Sequence, residues 1–242
     1  YTLWHTLSLH DALPILSTSR LEGSPKTIGS GNWKIPVSGA KMKNLREGPV
    51  FWKDLGENGV ECTMIRMPAN FPPDDSGNTR SVSGLGTPDI HGSYGIFTFY
   101  TDSRDEISRN VSGGRIEKVW FRDHASNLVL RGPSDNSGES VDIQFRIFVD
   151  PVNPAARIII QDNDIVLREG EWSQWIPVEF PTIPPLVKVS GTLRFFLKKV
   201  RDSFELYVSP VNINPLKPSL PISTPPDYAR RLAEKLGTFY TQ

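Results

Sequence analysis

The chain has 242 residues, long enough for one large domain or two modest ones around a sizeable core. Its 27 basic and 27 acidic side chains give a formal net charge of zero, which gives no indication of a nucleic-acid polymer or an anionic membrane surface as partner. No apolar run reaches the length that a membrane span requires, and no signal peptide is visible.

The first fifteen residues, Tyr1 to Ile15, differ in character from the rest of the chain, because LSLHDALPI resembles translated sequencing-adapter sequence. We therefore treat residues 1–15 as an artefact and exclude them from the predictions of fold and site. The exclusion removes His5, His10 and Asp11 as candidate ligands. The alternative is that these residues form a genuine short helix.

A helix followed by a strand is predicted between Pro49 and Met67, after a Gly- and Ser-rich connection. Phe51, Trp52 and Leu55 recur at helical spacing, and Gly59 stands where a left-handed helix end would lie. The next strand contains Cys62, the single cysteine, which we predict to be a small core residue. This helix and strand would form one αβ unit of a parallel sheet, with Trp52 packed in its core.

The motif segment, Met64 to Asp102, follows the strand and concentrates proline, glycine and polar side chains. Glycine adopts backbone angles closed to other residues and proline removes a donor, so we predict an ordered loop at the end of the strand. Open α/β folds bind ligands at such strand ends. The side chains that this loop could present to a ligand are Arg66, Asn70, Thr87, Asp89 and His91. The alternative is that they only hydrogen-bond their own turn.

From Gly113 to Ser209 the apolar pattern has a period of two, which predicts strands of an antiparallel sandwich. Val141 to Val149 alternates almost without exception. The other predicted strands are separated by turn residues and are 115–122, 128–131, 157–160, 165–168, 175–180, 186–200 and 204–208.

Two features of this β-rich part invite a functional interpretation. Ile158–Ile160 and Ile165–Leu167 predict a hairpin. The DND sequence in its turn lacks the following glycine and the distal glutamate of a calcium loop, so we interpret these residues as turn formers and not as metal ligands. Trp172 and Trp175 could form a sugar-stacking face, or they could be core and rim residues of the sheet.

The tail is predicted to return to α/β character through a helix. Thr224 is the predicted N-cap, with Pro225 at the first helical position. Tyr228 and Leu232 begin an apolar stripe, and Gly237 ends the helix.

Several runs of residues carry a family resemblance: FWKDLGENGVECTMIRMPAN from Phe51 with the FPP directly after it, SGLGTPDIHGSYG, PVNINPLKPSLPIS, and the terminal FYTQ. Taken together, these runs resemble the alkaline-phosphatase superfamily and, within it, the type I phosphodiesterase/nucleotide pyrophosphatase-like branch. The resemblance covers roughly Leu16 to Gln242 and is to an internal part of such a protein. It implies an α/β fold in which a partial alkaline-phosphatase-like core carries an inserted antiparallel β-sandwich cap.

The predicted domain organisation rests on this resemblance and on the change of period along the chain. Residues 16–112 would be part of the α/β core with its motif segment, and residues 113–209 the β-rich inserted cap. Residues 210–242 would return to the core, with a helix over about residues 225–236.

The resemblance also implies a catalytic centre of two divalent metals, usually zinc, held by Asp and His residues beside a Thr or Ser nucleophile. Such a site needs about three histidines, whereas residues 16–242 contain only His91 and His124. His124 is predicted to be a solvated turn residue, and His91 stands where related sequences usually carry another residue. The family's metal ligands and nucleophile would lie upstream of Leu16 and downstream of Gln242, so we expect no catalytic residue and no metal site in this chain.

The leading functional prediction is an internal fragment of a metal-dependent phosphodiesterase that acts on a small-molecule phosphoester. In the intact enzyme, Asn70, Thr87, Asp89 and His91 would line one wall of the substrate site, as side chains that contact substrate or orient a metal ligand. The alternative function is a non-catalytic β-sandwich module that binds a glycan or a protein.

Overall fold

The computed structural model describes residues 19–22, 26–30, 33–38, 41–75, 77–134, 137–183 and 187–241. Within these ranges the chain is mostly β, with far more residues in strands than in helices. It divides into two compact units. Unit 1 holds the described residues of Tyr1–Tyr94, Ser134–Glu139 and Asn212–Gln242, and unit 2 holds those of Gly95–Pro133 and Ser140–Val211.

The described helices are short, and the strands follow one another closely along the chain. The helices are α1 (Phe51–Glu57), α2 (Arg104–Ile107) and α3 (Tyr228–Leu236). The strands of unit 1 are β1 (Ser19–Glu22), β2 (Lys26–Ser30), β3 (Trp33–Ser38), β4 (Lys41–Asn44), β5 (Cys62–Met67), β6 (Thr79–Ser83), β18 (Asn212–Ile213) and β19 (Ser223–Thr224). The strands of unit 2 are β7 (Phe97–Thr101), β8 (Gly114–Lys118), β9 (Ala125–Leu130), β10 (Ile143–Val149), β11 (Ala155–Ile160), β12 (Asn163–Arg168), β13 (Glu171–Trp172), β14 (Ile176–Ile183), β15 (Val187–Leu193), β16 (Phe195–Lys199) and β17 (Glu205–Val208).

Unit 1 contains a three-stranded sheet in which β6 lies between β5 and β19. β5 pairs with β6 in parallel, whereas β19 pairs with β6 in the antiparallel sense. Helix α1 packs on β5 and β6, and α3 packs on β6 and β19. Trp52 of α1 is 5% exposed and packs with Val50 and Cys62, so the predicted core positions of Trp52 and Cys62 are confirmed. β1 with β4, and β2 with β3, form two further antiparallel pairs.

Unit 2 contains two larger sheets and a hairpin. One sheet is antiparallel in the order β12-β11-β10-β9, and the other has the order β13-β16-β17-β7-β8 with β7 and β8 parallel. β14 and β15 pair as an antiparallel hairpin. Ile143, Phe145 and Ile147 of β10 are buried while the residues between them are exposed, which confirms the alternation predicted from the sequence.

The two sheets of unit 2 pack against each other through aromatic side chains. The ring of Phe145, on β10, lies 5.4 Å from the ring of Tyr100 and 5.7 Å from that of Phe195, both on the five-stranded sheet. The Tyr100 hydroxyl donates a 2.7 Å hydrogen bond to the carbonyl oxygen of Val129 on β9. Burial raises the pKa of the Tyr100 phenol, because the charged phenolate would lose its hydration in this core.

The predicted fold class, an α/β partial alkaline-phosphatase-like core with an inserted β-sandwich cap, is wrong. The chain is mostly β, with several small sheets and three helices in the described ranges. Helix α1, Gly59 and strand β5 form locally as predicted, with Gly59 at a φ of 78°. In the part of the chain that the structure describes, the parallel pair β5–β6 is joined by one further strand, β19, which is antiparallel. A helix-glycine-strand pattern predicts one local unit, but it does not determine how many parallel strands join the sheet.

Two further predictions change at the level of single elements. Thr224 is not the N-cap of the tail helix, because it lies in β19 and α3 starts at Tyr228. Ser223 instead provides a hydrogen-bond acceptor for the first turn of α3, since its hydroxyl accepts a 3.0 Å hydrogen bond from the N–H of Ala229. The motif segment also contains strands β6 and β7, where the sequence predicted a continuous loop.

The predicted hairpin of the β-rich part is confirmed as β11 and β12, with Ile158 opposite Ile165. The turn is tighter than predicted, because Asn163 and Asp164 already belong to β12. Asp164 pairs with Arg157 across the two strands at 2.8 and 2.5 Å. This ion pair holds the pKa of Asp164 below its ordinary value. Within the described ranges, no helix combines the length and apolar character of a membrane crossing.

Candidate functional site

Asp89 organises the loop between β6 and β7, and its side chain has no exposed surface. One carboxylate oxygen accepts hydrogen bonds from the N–H groups of His91 and Ser93, each at 2.9 Å. The other oxygen accepts a 2.5 Å hydrogen bond from the Ser93 hydroxyl. These charge-assisted bonds compensate the carboxylate for its lost hydration. Asp89 thereby ties residues 89–93 into one turn.

Thr87 and Asn70 are also buried and also bind nearby loop or strand groups. The Thr87 hydroxyl donates a 2.7 Å hydrogen bond to the carbonyl of Gly84, three residues earlier. The Asn70 amide donates a 2.7 Å hydrogen bond to the hydroxyl of Ser81 on β6. Thr87 connects its loop to the residue directly after β6, and Asn70 connects the loop after β5 to the middle of β6, so these contacts hold the backbone in place.

Arg66 lies at the end of β5, is exposed, and has a φ of 56°. Its guanidinium carbon is 4.0 Å from the centre of the Tyr240 ring, a cation-π contact. The Arg66 backbone closely approaches Gly84, where an added Cβ would lie 2.1 Å from the Arg66 carbonyl oxygen. The glycine is therefore required where the carboxyl ends of β5 and β6 meet.

Arg46 anchors the loop that follows β5, and the sequence analysis did not identify it. Its guanidinium donates to the carbonyl of Ala69 at 3.2 Å and to the side-chain oxygen of Asn70 at 3.3 Å, and it also pairs with Asp74. The same group lies 5.0 Å from the centre of the Trp52 ring. A lone arginine in a Gly- and Lys-rich stretch has no sequence signal for this role, because Ala69, Asn70 and Asp74, which its guanidinium contacts, lie in a distant segment.

The two histidines outside residues 1–15 lie in different units. His91 is partly buried in the Asp89 turn, and its backbone N–H is the group that donates to Asp89. His124 is exposed at the second position of a two-residue turn, with a φ of 62°, as predicted for a solvated turn residue. In the part of the chain that the structure describes, no group of three His, Cys, Asp or Glu side chains could hold a metal ion.

Four of the five predicted site residues therefore fall into two adjoining loops of unit 1, and the fifth, Arg66, lies at the end of β5. Thr87, Asp89 and His91 share the loop after β6, and Asn70 lies in the loop after β5. The two loops are joined by a 2.8 Å hydrogen bond from the N–H of Ala69 to the carbonyl of Leu85. The hydrogen bonds described above stabilise these loops, and a role of the five side chains toward a substrate stays a prediction.

Trp172 belongs to an aromatic row on the five-stranded sheet of unit 2. The strand register places it beside Phe196, which is paired with Tyr207. The Trp172 ring lies 4.9 Å from Phe196 and 5.8 Å from Tyr207, and it remains 47% exposed. The Arg194 guanidinium lies 5.2 Å from the Trp172 ring and 5.6 Å from the Trp175 ring. Partial burial raises the pKa of the Tyr207 phenol.

Comparison with known proteins returns no match to a protein-family model, a curated protein or a solved structure. The side chains themselves must therefore indicate the function. In unit 1 these side chains build an internally hydrogen-bonded loop pair. In unit 2 they leave aromatic rings partly exposed beside cations, which is the composition of a binding surface.

Proposed function

We propose that this chain is a non-catalytic internal part of a metal-dependent phosphoester hydrolase of the nucleotide pyrophosphatase-like type. The motifs at Phe51–Asn70 and at residues 83–95 support the hydrolase half of this proposal by their resemblance to that family. The intact enzyme would act on a small-molecule phosphoester. Its two divalent metals, zinc in the usual family member, would polarise the phosphate and activate the attacking hydroxyl. Residues outside this chain would supply the metal ligands and the nucleophile.

The proposal that this chain is non-catalytic rests on the hydrogen bonds of the buried Asp89 carboxylate. Its carboxylate receives two backbone N–H groups and one hydroxyl from its own turn. A carboxylate used in this way stabilises a loop and is poorly placed to exchange protons or ligands during a reaction. The histidine content of the sequence agrees, since residues 16–242 carry only His91 and His124. The chain would then shape the surroundings of a catalytic centre that other residues build.

The test compares this chain with the longer protein encoded by the same gene. The longer protein is expected to hydrolyse a chromogenic phosphodiester in a chelator-sensitive reaction, and this chain alone is expected to show no turnover. Tight stoichiometric zinc binding or chelator-sensitive turnover by this chain would refute the non-catalytic half. A longer protein without Asp- and His-rich metal motifs and without turnover would refute the hydrolase half.

A second candidate function is a glycan- or protein-binding module, and the exposure of Trp172 favours it. An indole that is 47% exposed among Phe196, Tyr207 and Arg194 presents a large apolar face beside a cation. Aromatic side chains and arginine are enriched at interaction sites. The two functions differ in what the rest of the gene must contain, because a hydrolase needs metal ligands there and a binding module does not.

A further inference from the structure

A second surface of unit 2, separate from the Trp172 row, has the composition of a ligand site. It is a cleft of about 570 Å³ where the end of β8 meets the outer face of β9 and β10. This volume falls within the range of small-molecule sites, about 300–1,000 Å³. The cleft is lined by Lys118, Trp120, Arg122, Asp123, Ala125, Ser126, Asn127, Leu128, Arg146 and Phe148.

Trp120 gives this cleft a large exposed aromatic surface, because 72% of the residue is exposed. Large aromatic side chains are normally much more buried, since hydration of the indole ring is unfavourable. The ammonium group of Lys118 lies 3.8 Å from the centre of the Trp120 ring. This cation-π contact holds a positive charge against the indole and helps to orient the ring. The cleft therefore presents a flat apolar surface next to a cation.

The charges around Trp120 are predominantly positive. Lys118, Arg122 and Arg146 line the cleft against a single carboxylate, that of Asp123. Arg122 and Asp123 are 3.9 Å apart with side chains 97% and 96% exposed, and an ion pair so exposed contributes little. The Arg146 guanidinium lies 4.6 Å from the centre of the Phe148 ring. An anion in this cleft would gain more from the three cations than it would lose to Asp123.

The backbone that carries these cations is well supported. Arg146 lies within β10 opposite Asn127 of β9, so sheet hydrogen bonds fix its position. Arg122 is held by reciprocal backbone hydrogen bonds with Ala125, of 2.9 and 3.0 Å, across the turn of Asp123 and His124. A preformed arrangement reduces the entropy lost when a ligand binds.

We infer that this cleft binds an acidic saccharide, that is, a sugar ring bearing a carboxylate or sulfate group. The apolar face of the ring would lie on Trp120, while the oxyanion would accept hydrogen bonds from Arg146 and Arg122. Arginine matches the geometry of an oxyanion because its parallel N–H groups can donate to two oxygens together. The amide of Asn127, on the floor of the cleft, can donate to or accept from a sugar hydroxyl. The inference goes beyond the proposed function and depends on no catalytic centre.

The charge pattern favours an acidic saccharide over two other occupants. A neutral sugar would leave the three cations without a counterpart. A single-stranded nucleic acid would need a basic groove that follows its backbone and several aromatic rings for successive bases, whereas this cleft offers one strongly exposed ring and the chain has no net positive charge.

The test titrates the intact chain with oligosaccharides by calorimetry and follows tryptophan fluorescence. The probes are oligogalacturonate for carboxylate, a chondroitin sulfate oligosaccharide for sulfate, maltohexaose as the neutral control, and an oligothymidylate as the nucleic acid. Acidic saccharides are expected to bind at least about tenfold more tightly than maltohexaose, and binding should weaken as ionic strength rises. Tight binding of only one acid would identify the anionic group and support the inference.

Variants then locate the site. Trp120→Ala and Arg146→Gln are each expected to weaken binding about tenfold, and both positions are exposed, so folding should be preserved. The matched control is Arg168→Gln, an exposed arginine on β12, which should bind as the original chain does. Equal binding of maltohexaose, binding of oligothymidylate alone, no binding of any probe, or full affinity in Trp120→Ala would overturn the inference.

Discussion

For Asp89, a structural role and a role in orienting a metal ligand predict different effects of substitution on stability and turnover. We expect Asp89→Ala to lower the free energy of unfolding by about 3 kcal/mol, because two partly buried N–H groups and the Ser93 hydroxyl lose a charged acceptor. Urea unfolding monitored by circular dichroism measures this change. Asp89→Asn keeps one acceptor oxygen and is expected to lose about half as much.

The same substitution in the full-length hydrolase that we propose tests the role toward a substrate. If Asp89 orients a metal ligand, Asp89→Ala lowers turnover by roughly 10- to 100-fold while the melting temperature stays the same. The buried hydrogen bonds of its turn lead us to expect a lower melting temperature as well. An unchanged melting temperature together with lost turnover would contradict the structural role and favour a role in orienting a metal ligand.

Asp150 gives a residue-scale prediction that depends on pH. Hydrogen bonds from the N–H groups of Asn153 and Val152, at 2.7 and 2.8 Å, hold the pKa of its carboxyl below the ordinary value. A depressed pKa in the folded state means that the charged carboxylate stabilises the fold above the unfolded pKa, about 4. This contribution disappears as the pH falls through the folded pKa.

We therefore expect Asp150→Asn to melt at a lower temperature than the original chain near neutral pH, and the gap to close in acid. Melting curves at about pH 6 and about pH 2.5 compare the gap well above the unfolded pKa with the gap in acid, where it should be smaller. Asp162→Asn, which removes one exposed carboxylate from another turn of unit 2, is the control for the loss of a charge. A gap of equal size at both pH values would show that the charge of Asp150 has no role.

At the scale of elements, the close approach of β5 and β6 depends on Gly84. A Cβ added there would lie 2.1 Å from the carbonyl oxygen of Arg66, which is backbone and cannot rotate away. Gly84→Ala is expected to lower the free energy of unfolding by about 2–3 kcal/mol, because the two strand ends must separate. Denaturant unfolding of the variant gives the value.

Gly59→Ala is the matched control in the same unit. Gly59 has a φ of 78° with open space around the position of a Cβ, so alanine there adds backbone strain without a steric clash. That strain costs about 1–2 kcal/mol for an L-residue in the left-handed region. If Gly59→Ala were more damaging than Gly84→Ala, the contact between the strand ends would be less important than the turn after α1.

At the scale of the whole molecule, the sheet order of unit 2 predicts which piece can fold alone. Strand β7 lies between β17 and β8 in the five-stranded sheet, and Tyr100 of β7 contacts the core of the other sheet. Residues 95–211 contain both sheets, so we expect this piece to unfold cooperatively. Circular dichroism and urea unfolding of the purified piece test this expectation.

Residues 113–209, the inserted cap predicted from the sequence, provide the comparison. This piece lacks β7, which would leave β8 without its partner and β17 with a free edge. We expect it to be clearly less stable than residues 95–211, because unpaired strand edges and a gap at Tyr100 remain. Equal stability of the two pieces would show that β7 is dispensable, and it would support the boundary at residue 113.

The sequence alone determined the local elements whose signal lies within a few neighbouring residues. The alternation of Val141–Val149 predicted β10, the isoleucine runs predicted the β11–β12 hairpin, and Gly59 predicted the end of α1. These predictions hold because side-chain period and left-handed glycine angles are local properties. The pattern was weaker where strands share one apolar run, since the predicted strand 186–200 is divided at Arg194 into β15 and β16.

Only the tertiary structure decided the fold class and the environment of the candidate site residues. Local αβ patterns at both ends predicted a parallel core, but the partners of β5 and β6 depend on distant segments, and the result is a mostly β chain. Folding also creates three features of individual side chains: the Asp89 carboxylate is directed inward, Arg46 anchors the loop after β5, and Trp120 is exposed. Residue type and spacing do not carry this information, because burial depends on which distant strands and loops pack around each side chain.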